Sequence, residues 1–515
     1  MRLFTAYRGG LTRTASQHPA SPHPGNQLPR LARMLSAVAA LSLLLPTPAQ
    51  SQQLDQAKTT AITAVEDLEG GILDMSMALW DFAELALLET QSAEYLADFL
   101  ETEGFTVERG VAEMPTAFVA SYGSGRPIIG VLGEYDALPG ISQKVQTAKE
   151  AFEEGAAGHG CGHNLFGTAS LGAALAVKEL IAAGELDGTV RFYGTPAEEA
   201  VGGKVYMVRA GLFQDVDAVL AWHPGDEIVA DTEGSQAIID VIVEFNGRTA
   251  HAAYDPWNGR SAADGVEVFT FALNLMREHV RPTVRMHYVV EHAGDVPNVV
   301  PDYARLWVWF RDSTHQGVEE LLERARAIAE GAALATGTDV TFRVQAGDWE
   351  MLPNMAGAEL MHENLTWLGP LEFTEEEHEF AREIQRNTGV DPVGLKGEIE
   401  PLDLDPGEPE GGSTDVADVS WNAPTLHFSV TTAAADAPWH AWPVVATGGM
   451  SIGHKGMVYA AKAMAATMVD LYQEADRLAA IQKEFEEKTE GVEYVPFIPE
   501  GPPPVPTDDP SRPER

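Results

Sequence analysis

The chain has 515 residues, 45% of them hydrophobic and 22% charged, and a formal net charge of −43. That length exceeds one ordinary core and predicts two domains, while so acidic a surface excludes nucleic acid and anionic membranes as partners. The single cysteine, Cys161, excludes an intrachain disulfide.

Residues 1–50 hold five arginines and no acidic residue. Arg30 and Arg33 precede an apolar run at 35–45 that is too short to span a bilayer. Small residues follow, and both Thr47-Pro48-Ala49 and Ala49-Gln50-Ser51 suit signal peptidase. Residues 1–51 therefore read as a signal peptide, and the mature protein is expected to be periplasmic or secreted, with no membrane insertion once the leader is removed.

Residues 54–105 read as helical, with apolar positions at Ile72, Met75, Leu79, Phe82 and Ala86. From 117 onward short apolar strands at 128–134, 190–195 and 218–222 alternate with helices near 165–183 and 201–211, which predicts an α/β fold with a mostly parallel sheet. Between 237 and 347 the order becomes β-α-β-β-α-β, that of a ferredoxin-like α+β module. A strand at 425–430 and a helix at 455–475 resume the first pattern. A lid or dimerisation domain at 237–347 is thus inserted into a catalytic domain formed by 54–236 and 348–475. Residues 370–412 read as a surface excursion in which Thr374 and Glu377 are spaced to cap a helix. Residues 476–515 read as a flexible, Pro-rich acidic tail.

Potential metal donors sit in loops or just past strands, where open α/β sheets bind ligands. In Gly160-Cys161-Gly162-His163 a thiol and an imidazole lie two residues apart among glycines. Pro196-Ala197-Glu198-Glu199 follows an apolar strand, and adjacent carboxylates in a non-helical loop can point differently. His223 closes the strand at 218–222, and His454 opens the last helix. Each is weak alone, since a lone strand-end histidine is more often structural. Together Cys161, His163, Glu199, His223 and His454 supply enough N, O and S donors for two divalent ions sharing a ligand, with Glu198 left as general base.

These motifs, with Gly133-Glu134-Tyr135-Asp136-Ala137-Leu138-Pro139, Asn246-Gly247-Arg248-Thr249-Ala250-His251 and Ser413-Thr414-Asp415-Val416-Ala417-Asp418, resemble a family of metallopeptidases and amidohydrolases. It includes aminoacylases, carboxypeptidase G-type enzymes and plant auxin-conjugate hydrolases; the nearest branch is that of aminobenzoyl-glutamate hydrolase B subunits. The likeness covers roughly residues 60–475. It implies hydrolysis of the amide bond in N-acyl or N-aroyl amino acids by water activated at two divalent ions, zinc or manganese. It implies Cys161 as bridging ligand, Glu198 as proton shuttle and Asp136 as the carboxylate orienting a ligand. It further implies that His251 reaches the site of a neighbouring subunit in a homodimer and stabilises the oxyanion, and that Asn298, Arg311 and His440 contact substrate. The segment Asp436-Ala437-Pro438 before His440 departs from the branch pattern. A partner subunit of a different type is compatible with the likeness. The competing readings are a dipeptidase or carboxypeptidase, and a periplasmic metal- or ligand-binding protein, which has no need of the Glu198, Asp136 and His251 set.

Overall fold

The computed structural model describes residues 48–506 apart from positions 408 and 410. The expected signal peptide lies outside the described residues except for its last few positions, where α1 (Pro48–Phe82) begins. α1 buries Ile72, Met75 and Leu79, the stripe its spacing predicts. The helical stretch expected to run on to 105 breaks where Ala83 and Leu87 adopt positive φ. It restarts as α2 (Thr90–Thr102), whose first free N–H groups, at Gln91 and Ser92, are bound by the Glu84 carboxylate.

The chain then builds β1 (Thr106–Arg109), β2 (Phe118–Ser124), β3 (Ile128–Gly133), α3 (His163–Ala183), β4 (Gly188–Gly194), α4 (Gly203–Arg209), β5 (Ala218–Gly225) and β6 (Val229–Ala230). With β11 (Thr425–Thr431) these strands form a seven-stranded sheet in the order β1-β2-β4-β3-β5-β11-β6. The central strands β4, β3, β5 and β11 are parallel, and the antiparallel pairs lie at the edges. Parallel neighbours put their carboxyl ends on one side, which is what gathers the site. Among the described residues α3 alone is long and apolar enough to cross a membrane, and here it is a buried core helix packed against α1 and the sheet.

The inserted module follows the expected order: β7 (Ala237–Asn246), α5 (Ala262–Met276), β8 (Arg285–His292), β9 (Tyr303–Asp312), α6 (His315–Thr336) and β10 (Asp339–Asp348). Its strands pair antiparallel as β10-β7-β9-β8. Phe269 and Leu273 of α5 and Leu321 and Ala325 of α6 complete a core of its own. The chain returns to the larger domain through α7 (Met355–Leu368), α8 (Glu375–Thr388), α9 (Val416–Ser420), α10 (Trp442–Gly448), α11 (Ser451–Gln473) and α12 (Ala475–Thr489). Thr374 and Glu377 form a reciprocal capping box on α8, as their spacing implies. The segment is more than a surface excursion, because Ala381 and Ile384 of α8 join Ile452 in a small core.

The tail expected to be flexible from 476 is ordered to 506. α12 packs on α7, and the residues beyond it run across the base of the inserted module. Tyr494 donates to Asp418 Oδ1 at 2.6 Å, Trp349 Nε1 donates to the Val495 carbonyl at 3.0 Å, and Arg209 binds the carbonyls of Pro499 and Gly501. Composition signals disorder here, but Phe497 supplies the apolar anchor that composition averages away: it is buried in the inserted module's core beside Trp349. A Phe497→Ala change is expected to destabilise the protein by about 3–5 kcal/mol, read by denaturant unfolding; an unchanged midpoint would show that the segment is not anchored there.

Candidate metal centre

β3, β4 and β5 end side by side, and each passes directly into a residue of the site. Glu134 and Asp136 follow β3, the loop Pro196-Ala197-Glu198-Glu199 follows β4, and His223 lies within the last turn of β5. Cys161 and His163 arrive from the loop that opens α3. Gly162 between them has φ +80°, and a Cβ there would meet Pro224 at 2.9 Å, so only glycine lets both side chains enter one pocket. Ala197 is also left-handed, at φ +63°. Its N–H donates to Glu89 Oε1 at 2.9 Å, while Glu89 Oε2 accepts from Thr116. This turn parts the two carboxylates of Glu198 and Glu199.

Two donor groups result. Cys161, His163 and His223 present ligand atoms within 4.8 Å of one another, and so do Cys161, Glu199 and His440. Cys161 belongs to both, as a bridging ligand must. His223 donates from Nδ1 to the Pro224 carbonyl at 2.7 Å, leaving Nε2 with its lone pair 3.4 Å from the Cys161 sulfur. His163 donates from Nδ1 to Asp136 Oδ1 at 3.0 Å, and Asp136 Oδ2 accepts the Glu199 N–H at 2.9 Å. One carboxylate therefore orients two donors. A third group, Glu134, His163 and Glu198, meets the same distance condition.

The electrostatics describe a pocket short of positive charge. Burial, then the facing Glu199, pushes the Cys161 thiol up. Burial, then Glu134 and Glu199, holds Glu198 well above the usual carboxylate range. Burial raises Glu199 to about 7 against the pull of His163, with Asp136 and Glu134 adding to the rise, and burial lowers His223 to about 4. Burial also disfavours a charged His163, but Glu134 and Asp136 on either side outweigh it and raise its pKa. His163 Nε2 and Glu199 Oε1 are buried without hydrogen-bond partners. A thiolate, imidazoles and carboxylates with such orphaned atoms fit divalent cations.

His454 was expected as a ligand. It sits in the first turn of α11, belongs to none of the three groups, and its pKa responds to burial alone. His440, expected to touch substrate, joins Cys161 and Glu199 in the second group. Its N–H bonds the Gly160 carbonyl at 3.0 Å, which ties its loop to that of Cys161, and its Nε2 is 3.6 Å from Glu199 Oε2. Arg311 is half-buried on β9 and donates to Ser413 Oγ at 2.8 Å; burial, then His163 and Arg311, lowers the pKa of His440. His251 and Asn298 lie in two exposed loops of the inserted module that are joined where the Ala252 N–H donates to the Asn298 carbonyl, and among the described residues neither joins a donor group. Three buried partners escaped the sequence reading as site residues. Glu134 lay within a motif already singled out, whereas Lys204 and Glu89 carry no local signal.

The model of Peptidase family M20/M25/M40 matches residues 130–349. The chain is 39% identical over 460 residues to the B subunit of p-aminobenzoyl-glutamate hydrolase of Escherichia coli, covering 84% of this chain and 95% of that one. It is 29% identical over 467 residues to the human Xaa-Arg dipeptidase, covering 86% and 95%. The fold is similar to that of a dinuclear metal binding peptidase from Bacillus subtilis, with TM-score 0.54, 18% identity, and coverage of 79% and 99%.

Metal analysis of purified variants separates the two histidines. His440→Ala is expected to lose one of the ions held by the wild type and His454→Ala to keep both; the reverse pattern would restore His454 as the ligand.

Proposed function

The chain belongs to peptidase family M20/M25/M40 and is a metal-dependent hydrolase of amide bonds, and from that premise we propose that it holds two divalent ions and cleaves N-acyl or N-aroyl amino acids. The observation that carries the two-ion reading is the sharing of Cys161 between two donor groups, with Glu198 beside them. His163 and His223 would complete one set, Glu199 and His440 the other. Bound there, the ions supply Lewis acidity for activating water and polarising the amide carbonyl. Thiolate and imidazole favour zinc, and carboxylate tolerates manganese.

Glu198 takes a proton from the attacking water and passes it to the leaving amine, a role suited to a carboxyl whose burial favours holding a proton. Asp136 keeps His163 in one tautomer. Among the described residues Arg311 has no carboxylate within ion-pair distance, and it is positioned to receive the carboxylate of the amino-acid product. His251 would act on a neighbouring copy. A dimer formed through the inserted module is supported by its exposed apolar residues Phe271, Leu275, Val289 and Val290, the last two on the edge strand β8. Pairing with a second, different type of subunit is the other reading, supported by the likeness to a relative whose name marks it as one subunit of a hydrolase. The likeness to an Xaa-Arg dipeptidase keeps unblocked dipeptides as the alternative substrate class. The basic, then apolar, leader at 1–51 supports export to the periplasm or beyond.

Hydrolysis of matched N-acyl, N-aroyl and unblocked dipeptides, with and without chelator, tests the proposal. Chelator-sensitive release of free amino acid from the blocked substrates is expected, and cleavage of only the unblocked ones would assign the dipeptidase reading. Glu198→Ala is expected to lower turnover by about 10²–10⁴-fold with metal content unchanged; loss of metal would make Glu198 a ligand.

A further inference from the structure

We infer that Glu134 is a sixth donor of the metal centre, a second carboxylate among its donors, held against His163 by the buried pair Lys204 and Asp415. The inference rests on the two-ion reading. Glu134 is 1% exposed and follows the last residue of β3, so its backbone position is set by the sheet. Its Oε1 lies 2.6 Å from Lys204 Nζ, and Lys204 is itself fully buried. On its other side the ammonium meets Asp415 Oδ1 at 2.6 Å, and Asp415 Oδ2 accepts the Lys204 N–H at 2.8 Å. One ammonium thus serves two carboxylates and is held from both ends.

The remaining oxygen, Glu134 Oε2, lies 3.1 Å from His163 Nε2. His163 donates from Nδ1 to Asp136, so in the neutral ring Nε2 carries a lone pair. Two buried acceptor atoms then face each other, and neither has a hydrogen-bond partner. Such a contact calls for a positive charge between the two atoms, either a proton on Nε2 or a metal ion that both atoms bind and that displaces the proton. Glu134, His163 and Glu198 present donors within 4.8 Å of one another, so an ion bound by Cys161, His163 and His223 has Glu134 as its neighbour. Stability alone is a poor reason for the trio, because a buried ion cluster gains little over packed apolar side chains of the same volume.

The test is competition for Zn²⁺ against a chelating dye by wild type, Glu134→Gln, Glu134→Asp and Asp415→Asn, with thermal melting of the metal-free proteins as the folding control. Glutamine removes the charge at constant shape, and aspartate withdraws the oxygens while keeping the charge. Both are expected to weaken one of two Zn²⁺ ions by about 10–100-fold, and Asp415→Asn, which leaves Lys204 in place beside Glu134, to weaken it by less. Wild-type affinity for both ions in the two Glu134 variants would overturn the inference, as would an equal loss in Asp415→Asn, which would make the trio a structural ion cluster. If Glu134→Gln does not fold, the aspartate variant decides alone. A wild-type chain that binds no Zn²⁺ would overturn the two-ion reading itself, and the inference with it.

Discussion

Negative charge buried without enough positive charge is the constraint from which the rest of this structure follows. Glu198 and Glu199 face Cys161, Glu134 and Asp136 flank His163, and Lys204 is the one ammonium in contact with these carboxylates among the described residues. Removing an ionised carboxylate from water costs several kcal/mol even after relaxation, so the pocket is poorly compatible with its own ligands until cations neutralise them. The raised pKa values of Glu198 and Glu199 express that conflict. Two divalent ions held by these donors would resolve it, because they would turn mutually repelling groups into a coordination shell.

The same shortage explains why so much of the surrounding structure is devoted to holding loops still. The sheet sets Glu134 and His223, Asp136 fixes both His163 and the Glu199 backbone, and Glu89 fixes the left-handed turn at Ala197. At one hinge the short segment 412–415 ties the inserted module to this frame. Gly412 accepts from the Gln236 N–H, Ser413 bonds both the Gln236 carbonyl and Arg311, and Asp415 holds Lys204. Residues 412–415 therefore touch the hinge, the half-buried arginine and the charge network behind the metal centre. At the other hinge His315 stacks on Trp349 with ring centroids 3.4 Å apart, and Tyr494 and Phe497 pack against the same ring. Any rotation of the module has to disturb these contacts, which makes its orientation a property of the catalytic domain and the tail together.

Much of this was legible in the amino-acid order because the signals are local. Apolar strands at 128–134, 190–195 and 218–222 alternate with helices, and each ends on a chemically distinctive residue. The β-α-β-β-α-β order of the inserted module is a matter of periodicity alone. What escaped depends on contacts far apart in sequence. His440 and His454 lie fourteen residues apart in similar company. A hydrogen bond from the His440 backbone to Gly160 brings His440 beside Cys161, and no spacing rule contains it. Glu89 and Lys204 are ordinary residues of a turn and a helix until folding buries them. The tail fails for a different reason: its Pro-rich composition predicts disorder, whereas its anchoring rests on Tyr494 and Phe497.

The central claim is that Cys161 bridges two ions whose remaining donors include His440. Anomalous diffraction at the zinc absorption edge from crystals of the Zn²⁺-loaded protein tests it most directly. The account predicts two peaks, each about 2.3 Å from the Cys161 sulfur, one reaching His163 and His223, the other Glu199 and His440. A single peak, or a second one bound by His454, would contradict it.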